Sequence, residues 1–183
     1  VCPTGMRKTI QSHFNTEIAN AKAGKPASIT IKVNSLSDEL LIQHMYKAAQ
    51  AGVIIKLLVR GIFCAKFETL KPKAKTKPYC ISIVDEYLEH SRILAFHNNG
   101  KPNVYISSAD FMVRNLDHRV EAAAPILDKT IKQELLDILD IQFSDNVKAR
   151  RLEKDLPNEY VSAAKNDKVQ SQIEVYKYLE KKK

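Results

Sequence analysis

The sequence predicts an α/β domain with a mixed sheet and helices on both faces. Residues 28–33 alternate and are rich in β-branched side chains, which is typical of a strand. Residues 53–59 are almost continuously apolar, as expected of a strand that is buried on both faces in a parallel sheet. A helical pattern over residues 38–51 separates these strands, so together they predict a right-handed βαβ unit. Asn and Gly tolerate positive φ, so residues 98–101 predict a hairpin turn that adds antiparallel strands.

The N-terminal part of the chain predicts two helices that flank the first strand. Residues 4–23 carry an apolar side chain at every fourth position, and Thr4 is their predicted cap. The helix over residues 38–51 has Leu40 among the side chains that are predicted to face inward.

Four strands and three helices are predicted for the second half of the chain. The strands are residues 80–84, 92–96, 103–107 and 119–124. Asp128 is the predicted cap of a helix with Ile131 on its apolar face. A short helix and a final one from about residue 168 follow, joined by a linker over 157–166. We expect residues 1–155 to form the α/β core and residues 156–183 a C-terminal helical extension of one domain.

Composition predicts a basic globular protein. The 183 residues are 44% hydrophobic and 27% charged, and no apolar run approaches the roughly 18 residues of a membrane span. The formal net charge of +8 favours an anionic partner such as nucleic acid, a phosphorylated small molecule, polyphosphate or an acidic membrane surface. A basic protein without an anionic ligand stays an alternative. Three widely spaced cysteines predict reduced thiols and a cytoplasmic location, and the missing initiator Met predicts a fragment or a processed product.

One group of side chains has the chemistry that phosphoryl transfer needs. His90 and Arg92 stand at the start of one predicted strand, and the hairpin partner of that strand ends in Ser107, Ser108 and Asp110. A cation stabilises charge on the phosphoryl oxygens, and an imidazole moves a proton or accepts the phosphoryl group. A carboxylate fixes the tautomer of the imidazole. The alternative is an exposed loop histidine beside an unrelated capping serine.

Arg60 is a second candidate for binding a phosphate. It ends the buried strand directly before Gly61, and ligands of α/β sheets gather beyond the carboxyl ends of the strands. A guanidinium there can bind a phosphate bidentately, although a surface arginine that only ends a strand is the alternative. Surface or boundary positions are predicted for the other histidines, which are His13, His44, His97 and His118.

Several stretches form a joint pattern that covers nearly the whole chain. The longest are VRGI at residues 59–62, YLEHSRI at 87–93 and VYISSADFM at 104–112. Shorter matches lie at residues 21–26, 33–36, 82–84, 98–100, 114–117 and 145–150. This pattern resembles the second C-terminal domain of the histidine-dependent polyphosphate kinases.

The resemblance implies a phospholipase-D-like fold for residues 1–183, as a single C-terminal catalytic domain of a larger polyphosphate kinase. It implies reversible transfer of the terminal phosphate of ATP to polyphosphate through a phosphohistidine in an upstream domain, so the isolated fragment is expected to be inactive. Arg60 matches the ATP-contacting arginine and His90 the second active-site histidine. Ser107 and Ser108 match a phosphate-contacting motif, and Asp110 beside them is a catalytic candidate.

The resemblance also implies ATP or ADP, polyphosphate, the upstream domains of the same chain and a second copy of the full-length protein as partners, and no specific nucleic acid. Mg²⁺ is an implied cofactor whose ligands are expected upstream, so no metal ligand is predicted here. Peripheral association with the inner membrane stays open beside the cytoplasmic location.

Two departures from related patterns bear on the alternatives. The phospholipase-D signature is His-x-Lys followed after four residues by Asp, but this chain has Arg92 and His97 at those positions, which argues against phosphodiester hydrolysis. A phospholipase-D-like phosphodiesterase or nuclease and a basic nucleic-acid-binding module stay as alternatives. The lysine-rich segment over residues 71–77 is either a polyphosphate-attracting patch or a solvated, mobile loop.

Overall fold

The computed structural model describes residues 5–71, 75–153, 155–162 and 168–182. Within these ranges the strands are β1 (Ser28–Val33), β2 (Ile54–Val59), β3 (Tyr79–Ile83), β4 (Arg92–Phe96), β5 (Asn103–Ser107), β6 (Ala123–Pro125) and β7 (Ala149–Arg151). The α-helices are α1 (Met6–Lys22), α2 (Glu39–Ala51), α3 (Lys129–Phe143) and α4 (Ser171–Glu180). The predicted α/β class and the predicted βαβ unit of β1, α2 and β2 are confirmed.

The strands form one mixed sheet in the order β6-β5-β4-β1-β2-β3-β7. β1, β2 and β3 are parallel, whereas β4 is antiparallel to β1 and to β5, and β7 is antiparallel to β3. The carboxyl ends of β1, β2, β3 and β5 therefore lie at the same edge as the amino ends of β4 and β7. We call this the carboxyl edge, and it is the edge that carries the predicted site residues.

The core lies on both faces of the sheet. On one face, α1 and α2 bury Phe14 and Met45 against side chains of β1 and β2. On the other face, α3 buries Leu139 and Phe143 against the opposite side of β2, β3 and β4. Full burial of one such side chain stabilises the fold by roughly 1.5–3 kcal/mol.

Side-chain caps begin two of the helices. The Asp38 carboxylate accepts a hydrogen bond from the Leu41 amide at 2.9 Å, and Gly52 ends α2 with a φ of 104°. Asp128 accepts from the amides of Thr130 and Ile131 at the start of α3, as predicted. Thr4, the predicted cap of α1, lies outside the described residues.

Some expected elements differ from the structure. The short helix predicted after α3 is wrong, because residues 149–151 instead form β7, an edge strand that pairs with β3. Leu40 is 56% exposed because α2 turns Leu41 and Ile42 toward the core, so its predicted inward orientation is wrong. Ile131 is 54% exposed, so the apolar face of α3 is narrower than predicted.

The edge strand β6 begins later than the strand predicted for residues 119–124. It includes Pro125, which an edge strand tolerates because one side of its backbone needs no partner in the sheet. No helix in the described part of the chain is both long and apolar enough to cross a membrane. The division into a core of residues 1–155 and an extension of residues 156–183 stays a prediction.

Candidate active site

The carboxyl edge brings the predicted site residues together. Arg60 follows β2, and His90 and Arg92 stand just before and at the start of β4. Ser107 ends β5 directly opposite Arg92 in the register, and Asp110 follows three residues later. Side chains that are far apart in the sequence therefore meet because antiparallel pairing aligns one strand start with one strand end.

Asp110 is the buried anchor of this edge. Its side chain accepts hydrogen bonds from the amides of Asn34 at 2.7 Å and Ser35 at 3.2 Å. It also accepts from Nε and Nη2 of Arg92, both at 3.2 Å. Burial raises the pKa of this carboxyl, but the bonds from Arg92, Asn34 and Ser35 outweigh burial, so the pKa of Asp110 lies below its ordinary value. Asp110 is therefore an ionised group that orients Arg92 and the end of β1.

Arg92 lies between Asp110 and His90. Its Nη1 is 3.3 Å from Nδ1 of the imidazole, and its Nη2 is 3.3 Å from Nε2. No hydrogen bond joins Asp110 directly to His90 in the ranges that the structure describes, so the carboxylate acts on the imidazole through the guanidinium. An arginine nitrogen only donates, which means that a neutral imidazole accepts at its unprotonated nitrogen. The His90 side chain is exposed and accessible to a ligand.

Arg60 is held by Asn34, which follows the neighbouring strand. Its Nε donates to Oδ1 of Asn34 at 2.8 Å, and this bond leaves both terminal nitrogens for other acceptors. The next residue must be glycine, because a Cβ on Gly61 would lie 2.8 Å from the carbonyl oxygen of Asn34. The Gly61 amide also donates to that carbonyl at 2.8 Å. Arg60 is therefore oriented by close backbone packing of β1 and β2.

The two serines of the motif have different surroundings. Oγ of Ser107 accepts from the Ala109 amide at 3.0 Å, so its hydroxyl proton is available to a ligand. Oγ of Ser108 donates to Glu121 and accepts from the Ala122 amide at 3.1 Å. Ser108 is thus committed to the connection with β6, and Ser107 is the better placed of the pair for binding a phosphate.

Lys32 is a member of this edge that the sequence reasoning missed. It is 3% exposed in β1, and its ammonium group donates to the Glu89 carboxylate, directly before His90. Burial lowers the pKa of Lys32 and Arg60 lowers it further, while Glu89 opposes both effects. Gln142 and Gln172 also donate to Glu89. The segment that carries His90 is therefore connected to β1, α3 and α4.

The other histidines lie away from this group. His13 stacks on Phe96 at 4.6 Å between ring centroids and bonds to the Tyr105 hydroxyl at 2.9 Å, so it is a boundary residue, as predicted. In residues 5–71, 75–153, 155–162 and 168–182, no group of three or more His, Cys, Asp or Glu side chains could hold a metal ion. The carboxyl edge instead presents two guanidiniums, an imidazole and a hydroxyl, which together suit a phosphate group.

Known proteins match this chain over almost its whole length. The sequence model of the family described as polyphosphate kinase C-terminal domain 2 matches residues 1–172. The polyphosphate kinase of Vibrio cholerae serotype O1 is 49% identical over 179 residues, which cover 98% of this chain and 25% of that protein. The polyphosphate kinase of Escherichia coli K12 is 45% identical over 179 residues, or 98% of this chain and 26% of that protein. The chain thus spans about a quarter of the length of these curated relatives.

Solved structures show the same relationship. The crystal structure of polyphosphate kinase from Porphyromonas gingivalis superposes with a TM-score of 0.94 at 42% identity, covering 100% of this chain and 28% of that one. Nuc from Salmonella typhimurium, a phospholipase D family member, has a TM-score of 0.51 at 11% identity, covering 75% of this chain and 89% of that one. That second likeness concerns the fold alone and confirms the predicted phospholipase-D-like fold. The chain belongs to the polyphosphate kinase C-terminal domain 2 family.

Proposed function

We propose that this chain supplies half of the active site of a polyphosphate kinase, which transfers the terminal phosphate of ATP to polyphosphate and catalyses the reverse reaction. The observation that carries the proposal is the arrangement of Arg60, His90 and Arg92 at the carboxyl edge, ordered by Asn34 and Asp110. Membership of the family supports it. The other half of the site, the upstream domains and the oligomer belong to the longer enzyme in this proposal.

The proposed reaction has two balanced steps. A histidine nitrogen of the upstream domain attacks the γ-phosphorus of ATP, a new N–P bond forms, and the bond to the β,γ-bridging oxygen breaks to release ADP. A terminal oxygen of polyphosphate then attacks the phosphohistidine, the N–P bond breaks, and the chain grows by one phosphate. Mg²⁺ neutralises phosphate charge when it is bound, and its ligands are expected outside this chain.

Each residue of this chain has a defined part in the proposed reaction. Arg60 binds nucleotide phosphates with its two terminal nitrogens, since its Nε is occupied by Asn34. His90 contacts the transferred phosphoryl group and donates or accepts a proton. Arg92 stabilises charge on the phosphoryl oxygens and keeps the imidazole in place. Ser107 contributes a hydroxyl to the phosphate.

The two alternatives gain no support from the geometry. A phospholipase-D-like hydrolase has a lysine where this chain has Arg92, and Arg92 is held by the ionised Asp110. A nucleic-acid-binding module rests on the positive charge alone, without a stacking or groove-reading element in the described ranges.

Single-turnover labelling from ATP tests the proposal in a full-length enzyme that contains this region. The substitution His90→Ala should lower the rate of phosphohistidine formation by about 10²–10⁴-fold, because a positioned acid or base contributes about that much. Arg60→Ala should chiefly weaken nucleotide binding, with a smaller loss in the chemical step. His44→Ala is the matched control, since the His44 imidazole is bonded to the Leu40 carbonyl of its own helix, and it should label at the wild-type rate.

Circular dichroism should show the same folded spectrum for all three variants. Labelling of His90→Ala at the wild-type rate would make His90 a bystander and remove the central residue from the proposed site.

A further inference from the structure

A basic cavity lies beside Arg60 at the carboxyl edge. It has a volume of about 370 Å³ and opens between the ends of β2 and β3, the start of β7 and the segment that follows β7. Its walls are formed by Arg60, Ser82, Val84, Arg150, Arg151, Leu152, Leu156 and Asn158. Three of these side chains are arginines and none is a carboxylate. The cavity is separate from the imidazole of His90, which does not line it.

Two of the arginines are oriented by neutral groups. Arg60 is bonded to the amide oxygen of Asn34, and Arg150 donates to the amide oxygen of Asn158 and to the Tyr160 hydroxyl at 2.7 Å. The Arg150 guanidinium also lies over the Tyr160 ring at 4.5 Å from its centroid. In the described part of the chain neither arginine forms an ion pair, so both guanidiniums are ordered while their charges stay uncompensated. That combination favours an anionic ligand.

The wall opposite the strands is strained. Leu156 and Asn158 have φ values of 45° and 58°, in the left-handed region that residues other than glycine rarely adopt. Asn158 is the residue that holds Arg150, so the strained segment fixes the orientation of that guanidinium. Strain of this kind clusters at ligand-binding sites.

The walls also limit the class of anion. Among the described residues no aromatic ring lines the cavity, so a nucleotide base would find no aromatic stacking partner there. Arg60 follows β2 and Arg150 belongs to β7, which are two strands apart in the sheet. Neighbouring strands are about 4.8 Å apart, so the two arginines lie on strands about 10 Å apart. A chain of several phosphates can contact both arginines along its length.

We infer that this cavity binds the polyphosphate chain, a few phosphate units away from the reacting end, while Arg60 and His90 bind the phosphates that react. The inference rests on the proposed function and adds a polyphosphate subsite with Arg150 as its principal cation. Leu156 and Asn158 position Arg150 without contacting the reacting atoms.

The test uses a full-length enzyme that contains this region, in the direction that forms ATP from ADP and polyphosphate. Arg150→Gln should raise the KM for polyphosphate by about 10-fold, the effect of one lost charge-assisted contact. The KM for ADP and kcat should change less than twofold. The matched control is Lys132→Gln, which removes one charge from a separate basic cavity of about 480 Å³ beside the Asn98–Gly100 turn at the opposite edge. This control should leave all three constants unchanged.

A second variant avoids the hydrogen bonds of Arg150. Val84→Glu places a carboxylate at a 69% exposed position on the cavity wall and should also raise the KM for polyphosphate about 10-fold or more. Ile131→Glu adds the same charge at a 54% exposed position on α3 and is its control.

The outcomes separate this inference from the proposed function. If both cavity variants keep the polyphosphate KM of their controls while the enzyme forms ATP normally, the subsite is wrong and the proposed function stands. If the KM for ADP rises in parallel, the cavity belongs to the nucleotide and the inference is also wrong. A folded wild-type enzyme that forms no ATP from polyphosphate would overturn both.

Discussion

Glu89 links the candidate site to the rest of the molecule at the scale of a single residue. It accepts hydrogen bonds from a buried lysine of β1 and from glutamines at the end of α3 and the start of α4. The next residue in the chain is His90. The position of the imidazole therefore depends on a carboxylate that three elements hold in place.

We expect the substitution Glu89→Gln to destabilise the fold by about 3 kcal/mol. The reason is Lys32, which would keep a buried ammonium group without a carboxylate, while Gln142 and Gln172 could still bond to the new amide. Denaturant unfolding followed by circular dichroism measures the change in the free energy of unfolding.

The double substitution Lys32→Met with Glu89→Gln is the control. Removing the ammonium group should restore most of the lost stability, because an apolar pair needs no desolvation of charge. Equal stability of Glu89→Gln and the wild type would show that solvent or another group neutralises Lys32.

Chemistry and predicted strand ends were enough to place His90, Arg92 and Asp110 at one end of the sheet and Arg60 at the carboxyl end of a buried strand. The pairing of Lys32 was beyond the sequence, because a lysine in an alternating strand has the pattern of a solvent-facing residue. Its partner lies 57 residues away in the sequence, so the pairing exists only in the folded chain. The Arg92 guanidinium lies between Asp110 and His90. Sequence spacing could not predict this either, because it depends on the side-chain conformations.

Asp145 performs a similar connecting role at the scale of elements. It is 1% exposed between α3 and β7, and its Oδ1 accepts from the amides of Val147, Lys148 and Ala149 at 3.0, 2.8 and 2.9 Å. Its Oδ2 accepts from the Ser171 amide at 2.7 Å, at the start of α4. Burial raises the pKa of Asp145, but the bonds from Ser171 and the neighbouring amides outweigh it, so the pKa is lowered. One carboxylate thus joins three elements.

The lowered pKa of Asp145 predicts a pH dependence of stability. A carboxyl whose pKa is lower in the folded state stabilises the fold fully above its unfolded pKa of about 3.9, and the contribution is lost as the pH falls through the folded pKa. Asp145→Asn should therefore be less stable than the wild type at pH 7 and lose less stability between about pH 4 and pH 2. Thermal unfolding over this pH range is the measurement.

Asp140→Asn is the matched control for that titration. Asp140 lies on α3, close to Asp145 in the sequence, and its side chain is 74% exposed with a lysine contact at 3.3 Å. Asp140→Asn should lose as much stability as the wild type when the pH falls from about 4 to about 2. If Asp145→Asn has the same acid limb as the wild type, protonation of Asp145 does not contribute to acid unfolding.

Most of the elements could be predicted because their apolar patterns are long. β1, β4 and β5 have the predicted bounds, and α3 begins after the predicted cap. β7 could not be predicted, since Ala-Arg-Arg has neither alternation nor apolar length and becomes a strand only because β3 offers an unpaired edge. The same three residues supply two of the arginines of the basic cavity, so missing the strand also meant missing the cavity.

Positive charge is spread over both edges of the whole molecule. The arginine cavity lies at the carboxyl edge, whereas residues 75–77 of the lysine-rich segment lead toward the amino end of β3 at the opposite edge. There the Lys75 amide bonds to the carbonyl of Ala49 near the end of α2. Residues 72–74, which include Lys73, lie outside the described residues. Lys77 lies closer to the cavity, because Glu153 is 3.7 Å from its ammonium group and 3.7 Å from Nη1 of Arg151. Lys75 is therefore separated from the carboxyl edge by about the length of a strand, whereas Lys77 is already paired beside the cavity wall.

This separation predicts that the part of the lysine-rich segment that ends at Lys75 acts only on long polyphosphate chains. A strand of five residues is about 17 Å long, whereas charges are screened beyond about 8 Å at physiological ionic strength. A short polyphosphate bound at the carboxyl edge therefore does not sense Lys75, but a chain of hundreds of phosphates reaches both edges and releases counterions at each.

Replacing Lys71, Lys73 and Lys75 together by Gln, with Lys77 kept because it is paired with Glu153 beside the cavity wall, should raise the KM for long chains several-fold at 0.15 M salt and leave that for short oligomers unchanged. The slope of log affinity against log salt should flatten for long chains only. Arg150→Gln, by contrast, should weaken both lengths, and equal effects of the lysine variant on short and long chains would show that the segment lies within the site.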